Sequence, residues 1–339
     1  MKTVKKLIPI LCVAVICIAF IASFVKDMYS EKMQYGIACG SEVKVTVFGT
    51  KDGEEKAKSA VDEINRLDSN VLSDTLSTSY VYKLNESGEY TDNSGELVSY
   101  INECADLISN CSKMTLLSKP ISDIWNISGG GRIPSDEETA DAVKKADMKN
   151  LSVSGNKITL GGGAQLSFGA FGKGTVCEKG IDTLKDNGAK GGIVTVGGTV
   201  GVFGKCGKSD TVAVGVRDPF GGAGEYFATV DVNDCYLSTS GDYEKYFEKD
   251  GKRYCHIFDA ETAIPIENDI TSVTVIADGG TLSDFLSTAI FILGEDGFSL
   301  AEKYGAQCII VKKDKSVIIS KELEGKFKLT DNEFTVSTV

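Results

Sequence analysis

The chain has 339 residues, 42% hydrophobic and 25% charged, with 37 glycines against five prolines. That is the composition of a folded protein of one large or two moderate domains, and it excludes a disordered or low-complexity chain. The formal net charge is −12, and because Lys2, Lys5 and Lys6 open the chain the remainder carries −15. A surface that acidic repels nucleic-acid backbones and anionic headgroups, so a phosphate ligand has to be held locally by backbone amides, a helix N-terminus, a metal or a single lysine.

The first predicted element is Leu7 to Val25, an uncharged run behind the three lysines. As a helix it would span about 28 Å, close to a bilayer core. The lysines keep the N-terminus cytoplasmic, so residues 1–30 read as an uncleaved anchor at the cell membrane and the rest as extracytoplasmic. A cleaved signal peptide is the alternative. Eight of the ten cysteines lie beyond this segment without a C-x-x-C pair, which argues against a zinc site and leaves disulfides and buried thiols equally open.

Glu42 to Phe48 (EVKVTVF) alternates like a strand. Glu54 to Leu67 and Leu97 to Ser109 carry apolar residues at helical spacing, and Ser135 with Glu138 forms a capping box that opens a helix. Beyond residue 150 short β-branched runs sit between glycines: KITL, GGIVTVGG, GVFG, VAVGV, FATVDV, SVTVIA and CIIVKK. Helices near Gly174–Asn187 and Leu282–Leu293 interrupt them. The pattern predicts an α+β fold with antiparallel strands, and residues 31–339 as one unit.

Three stretches can carry chemistry. LSFGAFGKGT (166–175) resembles a phosphate loop, but Ser167 stands where a Walker loop needs its first glycine and Gly174 follows the lysine, so that reading fails. Lys173 near a helix start still suits a phosphate, although a plain strand-turn-helix junction fits as well. In GGTLSDFLSTAIFILG (279–294), Asp284 and Thr288 share a helix face and offer hard oxygens suited to magnesium. Thr281 and Asp284 also have capping-box spacing, and on this motif alone the helix-cap reading of Asp284 is the stronger. LSTSGDYEKYFEKDGKRYCHIFDAETAIP (237–265) reads as a hairpin with hydroxyls at one end and the only histidine, His256, on the second strand near an aspartate, the setting of a general base.

Taken together these motifs resemble the ApbE family of FAD:protein FMN transferases. The resemblance is carried by Ser240-Gly241-Asp242-Tyr243-Glu244 through Asp250-Gly251-Lys252-Arg253-Tyr254, by His256-Ile257 with Asp259 and Thr262, and by Ser272-Val273-Thr274-Val275 through Thr281-Leu282-Ser283-Asp284 with Thr288. GAFGKG, Gly197-Gly198, Asp123-Ile124-Trp125 and Arg132-Ile133-Pro134-Ser135 follow the family's order, as do Ser73, Ser79 and Leu84-Asn85.

The resemblance implies a two-lobed α+β architecture with a tunnelling-fold-like core behind the N-terminal transmembrane helix. The implied reaction moves FMN from FAD onto a threonine hydroxyl of a partner protein and releases AMP. The implied partners are FAD and an acceptor with an S/T-G-A-T motif, either an Rnf- or Nqr-like subunit or a secreted FMN-binding domain. Magnesium is the implied metal, held by Asp284, Thr288 and the carbonyl of Ala170. His256 falls on the family's base. Lys173, Gly197, Gly198, Ser240, Gly241, Asp242, Asp259 and Thr262 fall on the flavin-binding positions. A flavin binder without catalysis and a magnesium-dependent FAD pyrophosphatase are the alternatives. The chain departs from the family at Met114–Leu117, Ser167, Thr199, Ala260, Ala263 and Thr75, positions that shape substrate loops.

Overall fold

A computed structural model describes residues 31–339. Its centre is a nine-stranded sheet, ordered Glu31–Ala38, Ser41–Phe48, Gly191–Val196, Thr199–Gly204, Cys235–Gly241, Ile270–Ala277, Gln307–Lys312, Ser316–Ile319 and Thr335–Thr338. Neighbours are antiparallel except the last pair, which is parallel. The mixed α/β class read from the sequence is therefore the observed one. The anchor segment lies outside the described residues, among which no helix is long and apolar enough to cross a membrane.

Two apolar layers flank the sheet, and strand alternation decides which residue goes where. In Gln307–Lys312, Cys308 and Ile310 join the larger cluster while Ile309 and Val311 join the smaller. The larger cluster lies under the helices Gly53–Leu67, Glu96–Ile108, Gly172–Asp186 and Gly280–Leu293. The smaller lies under a three-stranded sheet of Val212–Arg217, Tyr226–Val232 and Phe327–Leu329. Ile270–Ala277 is buried along all eight residues because both layers cover it. All eight cysteines in the described residues are free thiols, buried except for the partly buried Cys39 and Cys206, so the structure takes the thiol alternative.

A third cluster ties the helices Lys119–Trp125 and Asp136–Ala146 to the hairpin of Tyr246–Lys249 and Lys252–Cys255. Trp125 stacks on Tyr254 at 5.6 Å, and its Nε1–H donates to the carbonyl of Ala263 at 2.7 Å. Ser135 and Glu138 form the predicted capping box at the start of Asp136–Ala146.

The helices Gly172–Asp186 and Gly280–Leu293 cross at their first turns. A Cβ on Gly174 would lie 2.1 Å from the carbonyl oxygen of Gly280, and one on Gly280 would lie 2.4 Å from that of Gly174. Only glycine permits this approach. Gly174→Ala is expected to cost about 1–3 kcal/mol by overpacking, read as a lowered denaturation midpoint; an unchanged midpoint would show that the crossing has slack.

Candidate active site

The crossing places two carboxylates reciprocally. Glu178 Oε2 accepts from the backbone N–H of Gly280 at 2.8 Å and of Thr281 at 3.1 Å, so it caps the Gly280 helix. Asp284 Oδ2 accepts from the N–H of Gly174 at 2.9 Å, so it caps the Gly172 helix. The T-x-x-D capping-box reading is thereby corrected. Gly279 is the N-cap of the Gly280 helix and offers no side chain. Asp284 is a cap, but of a helix 110 residues away in sequence.

Asp284 is buried, and among the described residues its Oδ1 takes no hydrogen bond. Thr288 follows one turn later on the same face. Its Oγ1 lies 3.1 Å from Ser240 Oγ, which also meets Ser287 Oγ at 2.8 Å. Ser240 therefore enters the site through Thr288. Ala170 precedes Phe171, the N-cap of the Gly172 helix, and the first i to i−4 bond of that helix runs from Thr175 N–H to Phe171 at 2.9 Å. The carbonyl of Ala170 thus stands outside the helix ladder. A buried carboxylate, a hydroxyl one turn along its helix and a carbonyl outside the ladder of the helix it caps are hard donors of low total charge. Among the described residues no group of three His, Cys, Asp or Glu side chains could hold a metal alone. The set fits a cation such as magnesium, which keeps water or phosphate oxygens in its shell.

Lys173 is half-buried at the same helix start. Burial pulls its ammonium down, but Asp284, Glu244 and Cys39 outweigh it and hold the group above its ordinary value. The Gly197-Gly198 turn lies against it: Gly197 has φ 54°, and a Cβ there would sit 2.8 Å from Ser41 Oγ and 3.6 Å from Lys173 Cδ. A Cβ on Gly198 would sit 3.4 Å from Glu244 Oε1.

His256 does not lie on a strand as expected. The hairpin strand ends at Cys255, and pairing resumes at Phe258–Asp259 with Ile264–Pro265, which bends the chain at the histidine. The bend aims the ring at the opposite loop, with Nδ1 3.2 Å from the carbonyl oxygen of Lys245. A carbonyl only accepts, so Nδ1 carries the proton and Nε2 holds the lone pair. Burial, then the charges of Lys173 and Lys245, lower the ring to about 4 against the pull of that carbonyl. The imidazole is neutral at pH 7.

Where His256 serves as the general base, the acid limb of kcat/KM, which follows the free enzyme, is expected near pH 4 in a pH profile, and a limb at pH 6.5 would contradict the buried ring. The same depression contributes stability that is complete above pH 6.5 and lost as pH falls through about 4.

Two predicted residues serve other partners. Asp259 pairs with Lys113 at 3.1 Å and accepts from the N–H of Glu261 at 2.9 Å, ordering the turn that contains exposed Thr262. Asp242 is buried and pairs with Arg253 at 3.4 Å; burial raises it despite Arg253 and Lys313. It lines a cavity of about 320 Å³ with Arg253, Asn268 and Lys313 that shares no lining residue with the Lys173–Asp284 group. Gly241 leads into it, and a Cβ there would strike the Tyr243 ring at 2.4 Å. The departures at Met114, Leu116 and Leu117 fill the larger core cluster.

Sequence reasoning missed Glu178, Glu244 and Cys39. Glu178 had a signal, since it follows Gly174 by four residues on the same helix face. Cys39 had none, because its approach to Gly172 depends on the turn between two strands at the far end of the chain.

The ApbE family model matches residues 39–310, and the chain belongs to that family. It is 30% identical over 233 residues to a FAD:protein FMN transferase of Treponema pallidum, covering 63% of this chain and 64% of that protein. It is 31% identical over 176 residues to a FAD:protein FMN transferase of Klebsiella pneumoniae, covering 51% and 54%. The matched stretches therefore span less than two thirds of these relatives' lengths. Among solved structures, the ApbE protein of Thermotoga maritima superposes with a TM-score of 0.80 at 25% identity, covering 88% of this chain and 99% of that one. The apo flavinyl transferase ApbE of Pseudomonas stutzeri gives 0.76 at 25% identity, covering 88% and 96%.

Proposed function

We propose that this chain is a magnesium-dependent FAD:protein FMN transferase that attaches FMN through its phosphate to a threonine hydroxyl of an exported or membrane redox protein and releases AMP. The observation that carries the reading is buried Asp284 capping the Gly172 helix with Lys173 at the same helix start, whose charge also acts on the neutral His256. The names of the relatives support it.

In this reading Asp284, Thr288 and the carbonyl of Ala170 hold the cation, which supplies charge neutralisation at the pyrophosphate. Lys173 binds a phosphate oxygen beside them, and the Gly197-Gly198 turn lets backbone approach the flavin nucleotide closely. His256 Nε2 takes the proton of the acceptor hydroxyl. The oxygen–phosphorus bond to FMN forms as the bond to the bridging oxygen breaks, and AMP leaves. Ser240 fixes Thr288, and Asp259 with Thr262 fixes the turn after the histidine. The run Leu7–Val25 behind three lysines supports a tethered enzyme working outside the cell membrane.

Incubation with FAD, magnesium and an acceptor domain bearing S/T-G-A-T tests this, with flavin fluorescence read in a denaturing gel. A labelled acceptor is expected. AMP release without label would replace transfer by FAD hydrolysis at the same site, and FAD binding without either product would leave a flavin binder.

A further inference from the structure

The strand Glu31–Ala38 (EKMQYGIA) alternates polar or small with apolar residues, the pattern of a strand buried on its apolar side. Here the burial is reversed. Gly36 faces the Gly53–Leu67 helix, where a Cβ would meet Val61 at 2.7 Å, while Met33, Tyr35 and Ile37 point outward with 38%, 58% and 75% exposure. The strand is also the edge of the nine-stranded sheet. It pairs with Ser41–Phe48 over all eight residues without a bulge, so alternate backbone N–H and carbonyl groups face the open side, where no described strand pairs with them. Natural edges are blunted by prolines, bulges, central charges or short length. This one has none of these, and its charged residues, Glu31 and Lys32, stand at one end.

The other end runs into the candidate site. Residues Cys39 and Gly40 make the tight turn, both at positive φ. Cys39 Sγ lies 3.6 Å from a Cβ placed on Gly172, and Ser41 Oγ lies 2.8 Å from one placed on Gly197. Burial, Asp68 and Asp284 push the Cys39 thiol well up, against a pull from Lys173. An open edge with an apolar outer face therefore leads, over about 27 Å at 3.4 Å per residue, to the group proposed to transfer FMN.

The geometry points to Glu31–Ala38 as the docking edge for the acceptor polypeptide. This rests on the transferase reading. The acceptor adds an extended segment to the sheet, its backbone pairing with the open edge and its alternate apolar side chains covering Met33, Tyr35 and Ile37. Its hydroxyl residue then falls just beyond the Cys39 end, beside Lys173 and His256. Backbone pairing fixes register without demanding one sequence, which suits an enzyme whose substrate is a chain segment.

The test uses the full chain, FAD, magnesium and an S/T-G-A-T acceptor domain. Tyr35→Lys combined with Ile37→Lys alters only exposed side chains. The acceptor KM is expected to rise by about tenfold or more through lost apolar cover, with FAD affinity and thermal midpoint unchanged. An unchanged acceptor KM overturns the edge while leaving the transferase intact. Loss of a dimer on gel filtration with unchanged KM assigns the face to a second copy and also overturns it. A second arm needs no variant: an acceptor peptide N-methylated at alternate backbone nitrogens should label poorly on the wild-type enzyme, and equal labelling excludes backbone pairing. If the wild-type enzyme labels no acceptor at all, the transferase reading falls and this proposal falls with it.

Discussion

Asp284→Ala is expected to abolish FMN transfer, lowering kcat/KM by about 10³-fold, and to weaken magnesium-dependent FAD binding. The carboxylate has two duties that separate by oxygen. Oδ2 caps the Gly172 helix through Gly174, and Oδ1 is free to face a cation. Removing both costs the cap, worth about 0.5–2 kcal/mol, as well as the charge that holds up Lys173. Asp284→Asn divides the two, because the amide oxygen still accepts from Gly174 while the negative charge is gone. The Asn variant should melt close to the wild type and remain inactive. If it transfers FMN normally, the carboxylate is a helix cap and the metal assignment is wrong.

His256→Ala is expected to lower kcat by about 10²–10⁴-fold while FAD affinity and thermal stability stay close to wild type. The ring's hydrogen bonding is limited to the carbonyl of Lys245, it is half-buried, and its neutrality means that no ion pair is lost. His256→Gln keeps an N–H donor for Lys245 but has no basic lone pair, so it should be as inactive as the alanine variant. A kcat unchanged in both would show that the acceptor hydroxyl loses its proton elsewhere. A loss confined to FAD affinity would make the ring a phosphate ligand. The pair of variants at Asp284 and the pair at His256 therefore give different signatures, the first in FAD binding and rate, the second in rate alone.

What the sequence revealed depended on how local the cause was. The helix expected at Glu54–Leu67 forms over Gly53–Leu67, and that at Leu97–Ser109 forms over Glu96–Ile108, because their apolar stripes are set by residues within one helix. The capping box at Ser135 and Glu138 spans one turn and was equally readable. The strand through His256 was misread because its break is imposed by Phe258–Asp259 pairing with Ile264–Pro265 beyond it. Asp284 was legible as a cap, but the helix it caps was not, since its donor, Gly174, comes from another helix. Asp242 was legible as a flavin-site candidate, but its pairing with Arg253 beside a cavity was not, since Arg253 comes from the far strand of the hairpin. The apolar alternation of Glu31–Ala38 was visible in the letters, but its outward direction required the helix packed behind Gly36.

A single site that breaks FAD and passes FMN to a threonine makes AMP and acceptor-bound flavin together. Both are measured in one reaction, by chromatography and intact-protein mass spectrometry. Equal amounts are expected with the wild-type enzyme, and neither product when the acceptor threonine is replaced by alanine. AMP in excess with no flavin on the acceptor would show that FAD is hydrolysed instead.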